Sequence, residues 1–352
     1  MLKDKVSFIG LGACGSNIAL LFQKKNYHTL FINGSEQDNR ALTGARNILK
    51  LKGFDGCGGD REKAEEALAN NLEVLEEIKK IKEKVIYLVF STAGSTGSGL
   101  APIMCDILKE LNEEECFDKT ICCIAVLPKR TEALQKHINA YNCIKEISER
   151  DIGSCILVDN NKMDSLEKIN STLVSTLDLF FKEDSFSAKG NVDMSERLLM
   201  ISQRGVFHVS AVCNGKAKGV GLLESIFTKN IYAPLEPDAV IEYLAVINSL
   251  EEGVDVDAII KATGIPQNIF SGYGAKKTIT VLSGLSFPIT YLSEIRENAE
   301  ERYKERMERK KTGGELKEFE FFNPTMPVVV DPPTKKNMSR LEMLKNLRKG
   351  IR

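Results

Sequence analysis

Apolar positions in the first two-thirds of the chain fall into short runs set between helical patterns. Val6–Ile9, Thr29–Ile32, Val85–Phe90, Ile121–Leu127 and Cys155–Val158 are of strand length and largely lack a polar face, as strands covered on both sides do. Residues Glu62 to Lys84 carry Leu68, Leu72, Leu75, Ile78 and Ile81 at helical spacing, which predicts one long amphipathic helix. Gly10 to Gly15 read as a loop leading to a helix start at Ile18–Phe22. Ser165 to Phe181 read as a long helix buried through Ile169, Leu173, Leu177 and Phe180. Strands and helices in alternation predict an α/β fold with a parallel sheet.

After Gly190 the texture changes. Leu198–Ser202, Val206–Val212 and Thr278–Gly284 read as strands, and Ala239–Ser249 and Val256–Ala262 as helices, giving a smaller α+β unit. Tyr291 to Lys311 is nearly all charge, with Glu300/Lys304 and Glu305/Arg309 at i,i+4 spacing, and predicts a solvated surface helix. Asn323–Thr334 holds four prolines, as an extended linker would. Ser339 and Glu342 form a capping box that opens a last helix, with Leu341, Leu344 and Leu347 on one face. Lys335, Lys336, Arg340, Lys345, Arg348, Lys349 and Arg352 make this tail basic. The expected division is 1–164, 165–189 (a central helix), 190–289, 290–322 and 323–352.

Composition narrows the picture modestly. A chain of 352 residues exceeds one small core, and its net charge of −1 argues against binding nucleic acid over its whole surface. No long apolar run exists and Met1–Lys5 leads directly into a strand, so neither a membrane span nor a signal peptide is expected, and the setting is cytoplasmic. The nine cysteines form no CxxC pair. Cys105, Cys122, Cys123 and Cys155 lie in apolar runs, as reduced buried thiols do. His28, His137 and His208 lack ligand spacing, so no zinc site is expected.

The candidate chemistry sits in two glycine-rich stretches. Ser91–Gly99 holds only Gly, Ala, Ser and Thr between a buried strand and a helix. Such a stretch suits phosphate: the backbone can approach closely, hydroxyls donate, and the helix offers unpaired amides. Gly94 and Gly99 have the separation of a P-loop, but Leu100 and Ala101 stand where that motif needs Lys and Ser or Thr. Gly10–Gly15 fits G-x-G-x-x-G, which by itself suggests an NAD-dependent oxidoreductase. Asn33 stands where a ribose-binding acid is wanted, though Glu36 is close, and that reading leaves Ser91–Gly99 unexplained. Farther on, Asn191-Val192-Asp193-Met194-Ser195-Glu196 brings two acids together on the first turn of a helix. They are either favourable N-terminal acids or a functional pair.

Together these stretches resemble the tubulin/FtsZ superfamily of GTP-dependent filament proteins, over roughly residues 5 to 290. Ser95–Gly99 matches the core of its Gly-Thr-Gly-Ser-Gly-type loop, with Ala93 and Ser95 replacing glycines. The resemblance implies a Rossmann-like GTPase domain, a long central helix, a smaller α+β domain, a C-terminal helix and a basic tail. It implies phosphate contacts from Gly10, Gly12, Ala13, Cys14 and Gly15, and from Ala93, Gly94, Ser95, Thr96, Gly97 and Ser98. Asn33, within Asn33–Glu36, belongs to the loop after the second strand. Gly58 and Gly59, within Gly53–Asp60, belong to a γ-phosphate-sensing loop, and Glu132, within Pro128–Glu132, to a ribose-side loop. Asn17 and Asn170 would read guanine, since an amide meets both donors and acceptors; Leu166 stands where many relatives place an aromatic. Asn191, Asp193 and Glu196 would be the catalytic loop that one subunit inserts into the next.

The implied protein is a GTPase using GTP/GDP, with Mg²⁺ held on the phosphates and no side-chain metal ligand, polymerising head to tail. Its ends match neither the acidic/apolar anchor peptide of cell-division FtsZ nor the acidic tails of the longer tubulins. They are most similar to the TubZ branch, plasmid- and phage-borne segregation filaments whose tail binds a DNA-bound adaptor, TubR. Lys335–Arg352 would then be the docking segment, with DNA contacted indirectly. A cell-division filament, a solubilising tail and an oxidoreductase are the alternatives.

Overall fold

A computed structural model describes residues 1–313 apart from 116, 183–186, 213–215, 217, 237–238 and 250–252. The strands are β1 (Val6–Leu11), β2 (His28–Asn33), β3 (Ile48–Lys50), β4 (Val85–Ser91), β5 (Thr120–Leu127), β6 (Ser154–Asp159), β7 (Gly205–Val212), β8 (Tyr243–Ile247), β9 (Asn268–Gly272) and β10 (Thr278–Leu285). They form one ten-stranded sheet in the order β3-β2-β1-β4-β5-β6-β7-β10-β8-β9. Pairing is parallel from β3 to β7, and β10 runs antiparallel to both β7 and β8. The helices are α1 (Gly12–Gln23), α2 (Glu36–Ala41), α3 (Glu62–Ala69), α4 (Glu73–Lys79), α5 (Ser95–Glu114), α6 (Leu134–Ser148), α7 (Leu166–Phe181), α8 (Met194–Ser202), α9 (Gly219–Leu223), α10 (Val256–Thr263) and α11 (Ile289–Gly313).

Alternate residues of the parallel strands feed two apolar layers. Phe8 of β1 joins Phe22 of α1, stacked at 3.6 Å, together with Tyr87 and Phe181. Ile9 and Leu11 belong to the other layer, with Leu68, Leu100 and Met104. Each such fully buried side chain contributes about 1.5–3 kcal/mol. Cys105, Cys122, Cys123 and Cys155 are buried free thiols, as expected.

Several local expectations fail, each for an identifiable reason. Residues 62–84 form two helices, because Asn71 breaks the run. Its buried Oδ1 accepts from the Lys52 amide (2.7 Å), while Nδ2 donates to the carbonyls of Ala67 (2.8 Å) and Lys52 (3.1 Å). That side chain competes with the helical backbone, yet the apolar stripe stays buried. Leu198–Ser202 is the end of α8 and not a strand; the helix is set by its capped start at Asp193. Ala239–Ser249 yields the strand β8, whose five residues are buried between β10 and β9. Gly10–Gly15 is no loop, since β1 runs to Leu11 and α1 begins at Gly12. Likewise, Ser95–Gly99 is the first turn of α5, leaving Thr92–Gly94 as the turn. The charged C-terminal helix is not solvated all round: Tyr291, Leu292, Ile295 and Ala299 are buried where α11 packs along α6. The Asn323–Thr334 linker and the basic helix beyond it lie outside the described residues.

Among the described residues no helix is long and apolar enough to cross a membrane. The strand order turns back between β1 and β4, and a sheet of this kind opens a crevice at such a switch point, beyond the carboxyl ends of its strands.

Candidate functional site

Leu11 of β1 is in register with Phe90 of β4, so the two glycine segments emerge side by side. β1 turns through Gly12 (φ 68°) straight into α1, and β4 leads through Thr92–Gly94 into α5. The glycines divide by their surroundings. A Cβ on Gly10 would lie 2.7 Å from Ser16 Cα, one on Gly15 1.9 Å from the Val89 carbonyl oxygen, and one on Gly97 2.9 Å from the Leu11 carbonyl oxygen. These positions let helices sit directly on strands. At Gly12 the two segments touch, its Cβ position being 3.3 Å from the Gly97 nitrogen. Gly94 differs, with nothing within 4 Å of its Cβ position.

The first-turn amides of α1 (Gly12, Ala13, Cys14, Gly15) and of α5 (Ser95, Thr96, Gly97, Ser98) have no acceptor within their own helices. Neither first turn carries an acid. Two positive helix ends beside open space suit a polyphosphate.

The segment Gly53–Asp60 folds against the start of α5. The Gly59 amide donates to Ser95 Oγ (3.3 Å), and Thr96 Oγ1 donates to Cys57 Sγ (3.7 Å). Gly58 and Gly59 have φ of 59° and 89°. The Glu36 amide donates to Asp55 (3.0 Å), tying Asn33–Glu36 to the same segment. Asn139 of α6, which sequence reasoning missed, clamps both sides: its Nδ2 donates to the carbonyls of Gly59 (3.2 Å) and Ala93 (3.4 Å).

A second missed residue is Arg61. Pro102 within α5 has no amide to give the Ser98 carbonyl four residues back. Arg61 donates to that carbonyl through Nη2 (2.8 Å) and Nε (3.2 Å) and pairs with Glu146 (3.0 Å). The signal in the sequence was Pro102 itself, which leaves one carbonyl needing a donor.

Glu132 accepts from the Lys129 amide (2.9 Å) and pairs with Lys136 (2.6 Å). Burial would raise its carboxyl, but Lys136 and the Lys129 amide bring it below the ordinary value. Burial, reinforced by Glu132, pushes the Cys14 thiol at the start of α1 up to about 12. Asn17 is exposed on α1 and Asn170 half-buried on α7, two helices in contact. Leu166, one turn before Asn170, is 46% exposed. Asn33 is buried and holds its own loop, donating to Asp38 (3.2 Å) and accepting from the Ser35 amide (3.4 Å).

Asn191, Asp193 and Glu196 lie on the segment that follows α7, next to the end of β9: the Tyr273 amide donates to the Gly190 carbonyl (3.1 Å), and a Cβ on Gly272 would lie 3.2 Å from the Val192 nitrogen. α7 has 16 residues, about 24 Å of helix, and near its end Asp178 accepts from Tyr27, just before β2 begins. The Ile201 carbonyl of α8 accepts from Cys122 Sγ near the start of β5. Asp193 accepts from the Glu196 amide, and Glu196 accepts from the Asp193 amide, both at 2.9 Å, forming a reciprocal capping box. Asn191 closes on Ser187, accepting from its amide (2.8 Å) and donating to its carbonyl (2.9 Å). Asn191 and Asp193 are exposed, and Glu196 half-buried.

Residues 5–168 match the Tubulin/FtsZ family, GTPase domain. That stretch runs from β1 into α7 and contains both glycine turns, so the chain carries a tubulin/FtsZ-family GTPase domain. Its particular likeness is to TubZ. It is 29% identical over 319 residues to the Tubulin-like protein TubZ of Clostridium botulinum C phage, covering 87% of this chain and 86% of that one. The crystal structure of Clostridium botulinum phage c-st TubZ superposes with a TM-score of 0.75 at 26% identity, over 86% of this chain and all of the other. The fold also matches a protofilament of Bacillus thuringiensis serovar israelensis TubZ (TM-score 0.72, 15% identity, 88% of this chain and 94% of that one).

Proposed function

We propose that this chain is a GTP-hydrolysing filament protein whose active site is completed between successive subunits. The observation that carries the reading is the acid pair at the start of α8, held in a reciprocal capping box with Asp193 exposed and Glu196 half-buried, on a segment packed against the end of β9 and open to a neighbouring subunit. The first turns of α1 and α5, with Gly58, Gly59 and Ala93–Ser98, hold the phosphates. Asn17 and Asn170 read the guanine, Glu132 shapes the ribose side, and Asn33 holds the nucleotide-binding loop after β2. Asn191, Asp193 and Glu196 of a neighbour position and polarise the attacking water. Phosphoryl transfer asks mainly for positioning and electrostatics, so dividing the site makes assembly a condition of turnover. Donor and acceptor faces differ, and a heterologous contact that does not close makes a filament.

Mg²⁺ fits this reading as an ion on the phosphates, whose charge it would offset during phosphoryl transfer. An NAD reading is disfavoured: Asn33 stands where a ribose-binding acid is wanted, and Glu36, three residues on, is engaged by Lys50 and Arg40. The GTPase rate per subunit is expected to rise steeply with protein concentration. A flat dependence would mean that one chain holds a complete site.

The same proposal extends to segregation of plasmid or phage DNA, supported by the likeness to a phage TubZ. Lys335–Arg352 then docks on a DNA-bound, TubR-like adaptor through charge that salt screens. Truncation after Asp331 is expected to leave GTP turnover unchanged and abolish capture of the adaptor–DNA complex. Capture by the truncated chain would identify the tail as a solubilising segment.

A further inference from the structure

Between α6, α11 and the Pro128–Glu132 segment lies a cavity of about 140 Å³. Ile295, Ala299 and His137 are its buried floor, and Arg130, Asn298 and Arg302 its polar rim. His137 is 3% exposed, and its Nε2 lies 3.2 Å from the Glu132 carbonyl oxygen, which assigns the ring proton to Nε2. Nδ1 is therefore a buried acceptor, and it has no hydrogen-bond partner among the described residues. Such a group is costly to leave unmet.

The rim supplies positive charge and no carboxylate. Arg302 donates to the Arg130 carbonyl, and the Arg130 guanidinium lies over the Tyr291 ring at 5.7 Å. Both arginines are thus positioned without an ion pair among the described residues. Burial lowers His137 below the usual histidine range and Arg302 adds to this, while Glu132 and the Arg130 backbone oppose it. The charged groups about the ring are Arg130 and Glu132 on the loop, Lys136 on α6 and Arg302 on α11. Both guanidinium groups, exposed at the rim, would favour an anion within the cavity.

We propose that this cavity binds a small phosphate-type oxyanion, held by Arg130, Arg302 and Asn298, with His137 Nδ1 taking a proton from solvent and donating it as a hydrogen bond. The volume is close to that of an engineered cavity of about 150 Å³ that takes up benzene, and the lining here is polar where that one is apolar. Bound there, the anion joins three elements: the loop that carries Glu132, α6, and the docked turns of α11. It is held through charge-assisted hydrogen bonds, the strong class for such groups.

Imidazole ¹⁵N resonances test this directly, because the chain has three histidines. His208, held down to about 3 mainly by burial, is the internal reference. Titrating the full chain with inorganic phosphate at fixed pH and ionic strength is expected to move His137 towards imidazolium, saturably, and leave His208 in place. Arg302→Gln, an exposed substitution, is expected to weaken the phosphate response about tenfold or more. A parallel titration with phenyl phosphate, both titrations run on chain saturated with GDP so that the cradle is filled, separates sources: a response to phosphate alone assigns a free oxyanion, and a response to phenyl phosphate alone assigns the phosphoryl group of an ester. No movement with either, an equal movement with chloride, or a response unchanged in both Arg302→Gln and Arg130→Gln would overturn the proposal.

Discussion

Glu196→Gln is expected to lower GTP turnover by about 10²–10⁴-fold while GTP binding and assembly persist, the usual loss for a positioned acid–base group. Glutamine is the informative replacement. Glu196 also accepts from the Asp193 amide at the start of α8, and glutamine can keep that half of the capping box. Alanine would remove it, confounding catalysis with a helix end weakened by about 1 kcal/mol. A mixing experiment then asks whose cradle Glu196 serves. Glu196→Gln keeps a sound cradle and gives a defective loop, whereas Gly94→Val obstructs the cradle and gives a sound loop. Neither variant alone should turn over GTP efficiently, but the mixture should recover activity wherever a sound loop meets a sound cradle. Persistent inactivity of the mixture, with both variants folded and co-assembling, would place the whole reaction within one chain. Wild-type turnover by Glu196→Gln would remove the residue from catalysis altogether.

The parts legible in the sequence were those whose cause is local. Val85–Phe90 is buried on both faces of a parallel sheet, so its uninterrupted apolar run names it a strand without knowledge of its neighbours. The glycine turns were legible because few other roles gather so many small residues at a strand end. What failed depended on partners distant in sequence. Asn71 breaks a helix only because Lys52 and Ala67 offer backbone groups to its amide. β8 is a strand because β9 and β10 flank it, although Ala239–Ser249 has a passable helical pattern. Along α11, the charge of residues 300–309 masked the narrow stripe Tyr291, Leu292, Ile295 and Ala299, spaced for a single helical face. The clamp by Asn139 and the bond from Arg61 to Ser98 unite segments whose proximity only the fold creates. The candidate site was therefore found through its backbone-lining glycines and missed in the side chains that brace them.

The two kinds of glycine lead to the other large effect, in stability. Gly15→Ala is expected to destabilise the chain by more than about 4 kcal/mol, or to prevent soluble folding, because the new methyl would stand 1.9 Å from the Val89 carbonyl oxygen. That oxygen belongs to the backbone of β4, a strand paired on both sides with β1 and β5, so it cannot retreat without disturbing the sheet. Gly94→Ala should behave in the opposite way. Its φ of −74° suits any residue, its Cβ position is open, and exchanging Gly for Ala at an N-cap costs no more than about 1 kcal/mol. The added methyl instead enters the space beside the first-turn amides of α5, so the loss should appear in GTP affinity. Urea denaturation and nucleotide titration of the two variants measure this contrast. If Gly94→Ala binds GTP as the parent does, the open space at that turn does not hold the phosphates. If Gly15→Ala unfolds at the parent's urea concentration, α1 can lift from β4, and the close approach at Gly15 is not what fixes the cradle.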